Sequence, residues 1–140
     1  MDKDTLTASL ALVDLPDDGL TVLFYEKLFA AHPEVQPMFS RSTRGQAAML
    51  RTAVISVVEH LDDPEWLTTT LGALGRRHAD LGVGEALYPV VAQTLIATMA
   101  EIAGPAWTDE YTAQWAQALT AVADLMLAGY PEAETDSGAA

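Results

Sequence analysis

Apolar residues along this chain recur at intervals of three and four. No segment shows the period of two that a half-buried strand requires, so the pattern predicts an all-α fold. A first helix is predicted over about 3–14. The Leu15-Pro16-Asp17-Asp18 turn separates it from a second over about 17–31, with Leu20, Phe24, Leu28 and Ala31 on one face. Pro33 and Pro37 then bracket a short turn, because proline lacks the N–H and clashes with the preceding turn of a long helix. From Gln46 onward Met49, Leu50, Ala53, Val54, Val57, Val58 and Leu61 mark the apolar face of a third long helix. Asp63 followed by Pro64 is a favourable N-cap and first-turn pair for a fourth, which Gly82 is expected to close just beyond Leu81. A fifth helix is predicted over about 85–102, stopped by Gly104-Pro105. A sixth starts near Thr108 and carries Tyr111, Trp115, Leu119, Val122, Leu125 and Met126 as far as Gly129. Residues 1–130 read as one domain without internal repeats. The segment 131–140, PEAETDSGAA, has nothing to bury and reads as a disordered tail.

At 140 residues, half of them hydrophobic, the chain is long enough for one domain with its own core. No run reaches the roughly 18 uncharged apolar residues of a spanning helix; the longest uncharged stretch, 86–100, is interrupted by Pro89, Gln93 and Thr94. The start, MDKDTLTASL, lacks the cationic and apolar regions of a signal peptide, so a soluble, cytoplasmic protein is expected. The chain has no cysteine, which excludes disulfides, thiolate metal sites, iron–sulfur clusters and covalent haem attachment. A metal would have to rest on histidine, carboxylates or a cofactor. A net charge of −13 repels phosphate backbones and anionic lipids, which argues against nucleic-acid and membrane partners. Of the 7 cationic residues, Arg41, Arg44, Arg51, Arg76 and Arg77 share one stretch of chain, either as solvated charges or near a docked anion.

Three polar residues occupy faces that otherwise read as buried: Tyr25, Gln46 and His78. His78 stands in the stripe Leu67, Leu71, Leu74, His78, Leu81 within "LGALGRRHADLGV". A lone histidine in such a stripe is more often a hydrogen-bonded core residue than a ligand. Gln46 also fits an exposed first-turn position, and Tyr25 an ordinary core aromatic with its hydroxyl on a backbone carbonyl. Together they match the parts of a haem pocket. The imidazole can hold iron, and a hydroxyl and an amide can donate to a diatomic ligand that gains partial negative charge there. Periodicity alone does not bring three helices around one point.

The segments "FYEKLFAAHPEVQPMF", "QAAML", "LGRRHADLGVGEALYPVV" and "WTDEYTAQWAQAL", in this order, resemble a single-domain bacterial globin, similar to the globin domain of flavohaemoglobins, over about residues 17–129. The resemblance implies an eight-helix globin fold around a non-covalently bound b-type haem. It implies His78 as the proximal iron ligand, and Phe39, Leu50, Val83 and Tyr88 as residues on or beside the haem. Tyr25 and Gln46 fall to the distal ligand pocket. In flavohaemoglobins a glutamate near the end of the last helix completes a His–Tyr–Glu proximal network. Counting from Trp115, Tyr130 falls at about that position here; Glu132 and Glu134 follow Pro131, beyond the expected helix end. A weaker electron push on the iron is therefore expected. His32 reads as a surface or capping residue and His60 as the close of the third helix, where a cation suits the helix dipole. One of Arg44, Arg51, Arg76 or Arg77 is expected to pair with a haem propionate.

The leading expectation is reversible binding of dioxygen, and of other diatomic gases such as carbon monoxide, for storage or transport, with no catalytic residue assigned. The alternative is a nitric oxide dioxygenase. Because the chain holds no flavin or nicotinamide domain, that activity requires a separate reductase, for which the acidic surface offers a docking face. A gas sensor is a third reading, with no signalling segment to support it.

Overall fold

Four of the helices begin where the sequence provides an acceptor for their first unpaired N–H groups. In the computed structural model, which describes residues 2–39 and 42–131, Asp2 accepts from the Asp4 N–H at 3.2 Å and opens α1 (Lys3–Val13). Ser42 accepts from Gly45 at 3.2 Å ahead of α3 (Thr43–Glu59). Asp63 accepts from Trp66 at 3.1 Å ahead of α4 (Pro64–Asp80), and Thr108 from Tyr111 at 3.1 Å ahead of α6 (Asp109–Leu127). The remaining two, α2 (Gly19–Ala31) and α5 (Leu87–Ala103), have no side-chain cap. α2 instead follows a 3₁₀ turn, Pro16–Asp18, in which Asp17 and Asp18 adopt left-handed φ values of 58° and 57°. Aspartate is among the few side chains that tolerate this conformation, and it lets the chain turn between α1 and α2 within five residues.

α2 is the central helix, burying Leu20, Thr21, Phe24, Tyr25 and Leu28 against α3 and α5. Each such apolar side chain contributes about 1.5–3 kcal/mol when fully buried. Two buried polar ties fix the packing. Thr21 Oγ1 donates to the Ala47 carbonyl at 2.8 Å, joining α2 to α3. The Trp115 indole donates to Ser9 Oγ at 2.7 Å, and Ser9 donates to the Leu6 carbonyl at 2.8 Å, joining α6 to α1. Residues 87–106 are long and apolar enough to cross a membrane by length and composition alone, since a window that tolerates Glu101 outruns the uncharged stretch. In this fold α5 packs between α2 and α6, with Leu95, Thr98 and Met99 buried.

α4 lies directly on the backbone of α6. A Cβ on Gly75 would stand 1.9 Å from the Met126 carbonyl oxygen, and one on Gly129 would stand 2.1 Å from the Gly72 carbonyl oxygen. Side chains at these positions would push the two helices apart. α3 and α4 follow one another in sequence yet barely touch among the described residues, because α4 sits on α6 while α3 sits on α2 and α1.

The described residues form six α-helices rather than eight, with 3₁₀ segments at Pro16–Asp18, Pro33–Met38 and Gly104–Ala106. Pro33 and Pro37 account for the second of these, since neither can donate to a continuing α-helix. Three residues assigned to apolar stripes from their spacing are exposed: Ala31 at the end of α2, Met49 to 51% and Leu81 to 64%. Leu81 is the C-cap of α4, where the helical phase that would turn it inward has ended. Of the tail 131–140, only Pro131 lies among the described residues.

Candidate functional site

The last turn of α4 is closed by an interlocking cap. Gly82 takes φ 87°, its N–H donates to the Ala79 carbonyl at 3.0 Å, and the Val83 N–H donates to the His78 carbonyl at 3.0 Å. These are the two bonds of a Schellman motif, and the positive φ explains why glycine stands at 82. The motif seats Val83 against the turn that carries His78. Both residues are half-buried.

His78 Nδ1 lies 2.9 Å from the Leu74 carbonyl oxygen. A carbonyl only accepts, so Nδ1 carries the proton, and Nε2 is left as a lone-pair nitrogen with no partner among the described residues. Backbone bonding of Nδ1–H is what fixes the tautomer and orientation of a metal-bound imidazole. The Tyr88 ring lies 6.4 Å from the His78 ring, centroid to centroid, at 45°. Its hydroxyl is 2.9 Å from that of Tyr130, and the Tyr130 hydroxyl donates to the Val83 carbonyl at 2.9 Å. Burial, then the contact with Tyr130, pushes the Tyr88 hydroxyl well above the ordinary tyrosine range.

Tyr25 is buried in an aromatic cluster. Its ring lies 4.9 Å from Phe24, 5.6 Å from Phe29 and 5.4 Å from Phe39, the last edge to face at 74°. Desolvation pushes the hydroxyl up to about 12, so it remains a neutral donor across the physiological range. That hydroxyl has no hydrogen-bond partner among the described residues. Because no fully enclosed side-chain nitrogen or oxygen lacks a partner there, it opens onto accessible space. Gln46, half-buried in the first turn of α3, likewise presents an amide without a side-chain partner among the described residues. The buried Thr21–Ala47 bond sets the crossing of α2 and α3 one residue from Gln46 and one helical turn from Tyr25. Leu50 follows one turn after Gln46 and packs on the edge of the core with Phe39.

Leu50, Ala53, Val54 and Val57 on α3, and Leu67 and Leu74 on α4, are only half-buried. Two consecutive amphipathic helices that barely touch thus leave apolar surface only partly covered on both sides. A separate cavity of about 200 Å³ lies between α1, α2 and α3, lined by Leu10, Val13, Leu20, Val54 and Ile55; none of Tyr25, Gln46 and His78 belongs to it.

Of the other candidate residues, His32, His60, Arg44 and Arg51 have clear partners. His32 caps α2, with Nδ1 3.3 Å from Glu34. His60 caps α3, directs Nδ1 to the Ser56 carbonyl at 2.8 Å and stacks on Trp66 at 3.8 Å. Arg51 pairs with Asp14 at 3.0 Å and lies 3.8 Å from Asp18, and Arg44 lies 3.8 Å from Asp17, so both tie α3 to the turn before α2. Arg76 and Arg77 are exposed and without an ion pair among the described residues. Spacing gave no hint of the Gly72, Gly75 and Gly129 contact. Glycine has no side chain to enter a hydrophobic count.

The globin family model matches residues 22–126, spanning the aromatic cluster, His78 and most of α6. The chain belongs to the globin family. A flavohemoprotein from Rhizobium meliloti is 34% identical over 127 residues, which are 89% of this chain and 32% of that protein. The chain thus spans about a third of the length of the flavohemoproteins it matches. Among solved structures, an engineered carbene transferase built from a Rhodothermus marinus protein, provisionally assigned as a nitric oxide dioxygenase, superposes with a TM-score of 0.77 at 23% identity, covering 89% of this chain and 87% of that one. Shortfin mako hemoglobin superposes with a TM-score of 0.78 at 20% identity, covering 92% and 95%. These likenesses show the globin fold, and membership of the family implies a haem group. The donor set fits one: an oriented imidazole with a free Nε2, two neutral donors near the α2–α3 crossing, and partly covered apolar surface on α3 and α4.

Proposed function

We propose that this globin holds a non-covalent b-type haem between α3 and α4, with His78 Nε2 as the iron ligand, and uses it for reversible binding of dioxygen. The observation that carries the reading is the Nδ1–H bond from His78 to the Leu74 carbonyl, which fixes the tautomer a metal-bound imidazole needs. When bound, haem iron supplies the site that takes up dioxygen, carbon monoxide or nitric oxide.

Around it the protein does the rest. Phe39, Leu50 and Val83 would lie against the haem and keep water from it. Tyr88 lies beside the imidazole. Of the four arginines expected to offer a propionate partner, Arg44 and Arg51 are engaged with aspartates, which leaves Arg76 and Arg77, immediately before His78 in sequence, without an ion pair among the described residues. Tyr25, in its low-dielectric aromatic cluster, would donate a hydrogen bond to a bound gas, and Gln46 would supply a second donor. Both are neutral, so they favour partial negative charge without becoming charged themselves.

The test is the dioxygen dissociation rate. Losing a hydrogen bond worth about 1 kcal/mol speeds release about fivefold, so Tyr25→Phe is expected to dissociate dioxygen faster by at least that factor. An unchanged rate removes Tyr25 from the ligand pocket.

The second reading, nitric oxide dioxygenation, is favoured by the kinship with flavohemoproteins and by the neighbour from Rhodothermus marinus. It requires an electron donor. A reductase with a basic face would suit the net charge of −13. Sustained nitric oxide consumption with a supplied reductase would select this reading; a single turnover that stops at ferric haem would select the first.

A further inference from the structure

The two neutral donors of the site stand on different helices, Tyr25 on α2 and Gln46 on α3. Neither helix by itself sets the distance between them; that distance follows from how α2 and α3 cross. Thr21 and Ala47, both fully buried, meet at the crossing, where Thr21 Oγ1 donates to the Ala47 carbonyl at 2.8 Å. Thr21 stands one turn before Tyr25, about 6 Å along the helix axis, and Ala47 is the neighbour of Gln46.

The Thr21 hydroxyl has a local alternative. The Asp18 carbonyl, three residues back, lies 3.2 Å from the same Oγ1, and threonine often bonds back along its own helix in this way. One proton does not serve two acceptors equally, and the shorter contact is the one to α3. A buried hydroxyl is costly without a partner, and its bond tolerates only a narrow range of distance and angle. It therefore holds the two helices in one register, where apolar contacts alone would let them slide. Arg44 and Arg51 also reach from α3 to Asp17 and Asp18 in the turn before α2, at 3.8 Å each, but through solvent-exposed arginines. Exposed pairs of this kind contribute little. The other buried tie, Trp115 to Ser9, joins α6 to α1 and involves neither helix that carries a donor.

We infer that Thr21 is a positioning residue for gas binding: its bond to the Ala47 carbonyl fixes the register of α3 on α2, and thereby the reach of the Tyr25 hydroxyl and the Gln46 amide toward one bound ligand. The inference rests on the proposed ligand pocket and adds the group that sets its width. A hydrogen bond weakens beyond about 3.2 Å, so a slide of about half an ångström at the crossing would cost one of the donors its contact.

The test uses the haem-loaded protein, followed by the dioxygen dissociation rate and by the C–O stretching band of its carbon monoxide complex, which reports donors beside the ligand. Thr21→Val removes the hydroxyl at nearly constant volume. It is expected to release dioxygen about threefold faster, less than Tyr25→Phe, and to raise the C–O frequency. Thr21→Ser keeps the hydroxyl and is expected to restore both. Ser9→Ala removes the other buried tie and is expected to lower stability without moving the rate or the band. In the haem-free protein, amide hydrogen exchange around Gln46 is expected to quicken in Thr21→Val and not in Ser9→Ala. Thr21→Ala, which cannot crowd Ala47, is read in the same way should the valine variant fail to bind haem. A rate and band at wild-type values in Thr21→Val, while Tyr25→Phe shifts both, would overturn the positioning role alone. Failure of Thr21→Ser to rescue, or an equal shift in Ser9→Ala, would overturn it too, because general loosening would then account for the effect. No shift in Tyr25→Phe would instead remove the ligand pocket itself, and the inference with it.

Discussion

Tyr25 and Tyr88 show what a side chain loses and gains by its placement. Both are phenols that the fold holds neutral, mainly by desolvation, yet Tyr88 has spent its proton on Tyr130 while the Tyr25 hydroxyl has no partner among the described residues. A phenol whose ionisation is pushed up to about 12 in the folded chain and lies near 10 when unfolded binds a proton in the native state that the unfolded state has released. Its contribution to stability is complete below pH 10 and is lost as pH rises from 10 to 12. The melting temperature is therefore expected to fall across that window, and to fall less steeply in Tyr25→Phe. Circular dichroism melts at successive pH values check this; parallel curves for the two proteins would contradict the burial of the Tyr25 hydroxyl.

The helices themselves were legible in the sequence to within a few residues, because their ends carry local chemistry: Asp63-Pro64, Gly82 and Gly104-Pro105 each act where spacing placed them. Their mutual approach was not. The seam between α4 and α6 depends on Gly75 and Gly129, residues that leave no periodic trace, and the outward turn of Leu81 depends on a helix ending one residue earlier than its stripe implied. Tyr130 lies past the end of α6, where no helical phase assigns it a direction, so its bonds to Tyr88 and Val83 follow only from the three-dimensional arrangement. His78 was readable as an anomaly in an apolar stripe, but its meaning came from the resemblance, not from spacing. Gly75→Ala tests the seam. A methyl group built 1.9 Å from the Met126 carbonyl oxygen forces α4 away from α6, and overpacking of this kind costs about 1–3 kcal/mol. Chemical denaturation is expected to show that loss, whereas Gly72→Ala, which meets nothing within 4 Å, is expected to be close to neutral.

At the scale of the molecule, α2, α3 and α5 form one packed body with α1, while α4 is carried on α6 at its side. Consecutive helices that barely touch, each with half-buried apolar residues, leave the core between them incomplete unless an apolar group completes it. Family membership implies a haem, which we propose is that group, and the fold brings an oriented imidazole to α4 and neutral donors without a partner among the described residues to α2 and α3. The central claim is thus that His78 Nε2 holds iron. Its most direct test is the visible absorption spectrum of the haem-reconstituted, reduced protein with and without carbon monoxide, beside that of His78→Ala. A stoichiometric Soret band is expected that shifts sharply with carbon monoxide and is lost or altered in the variant. An unchanged spectrum in His78→Ala, or no stoichiometric uptake of haem by the wild type, would contradict it.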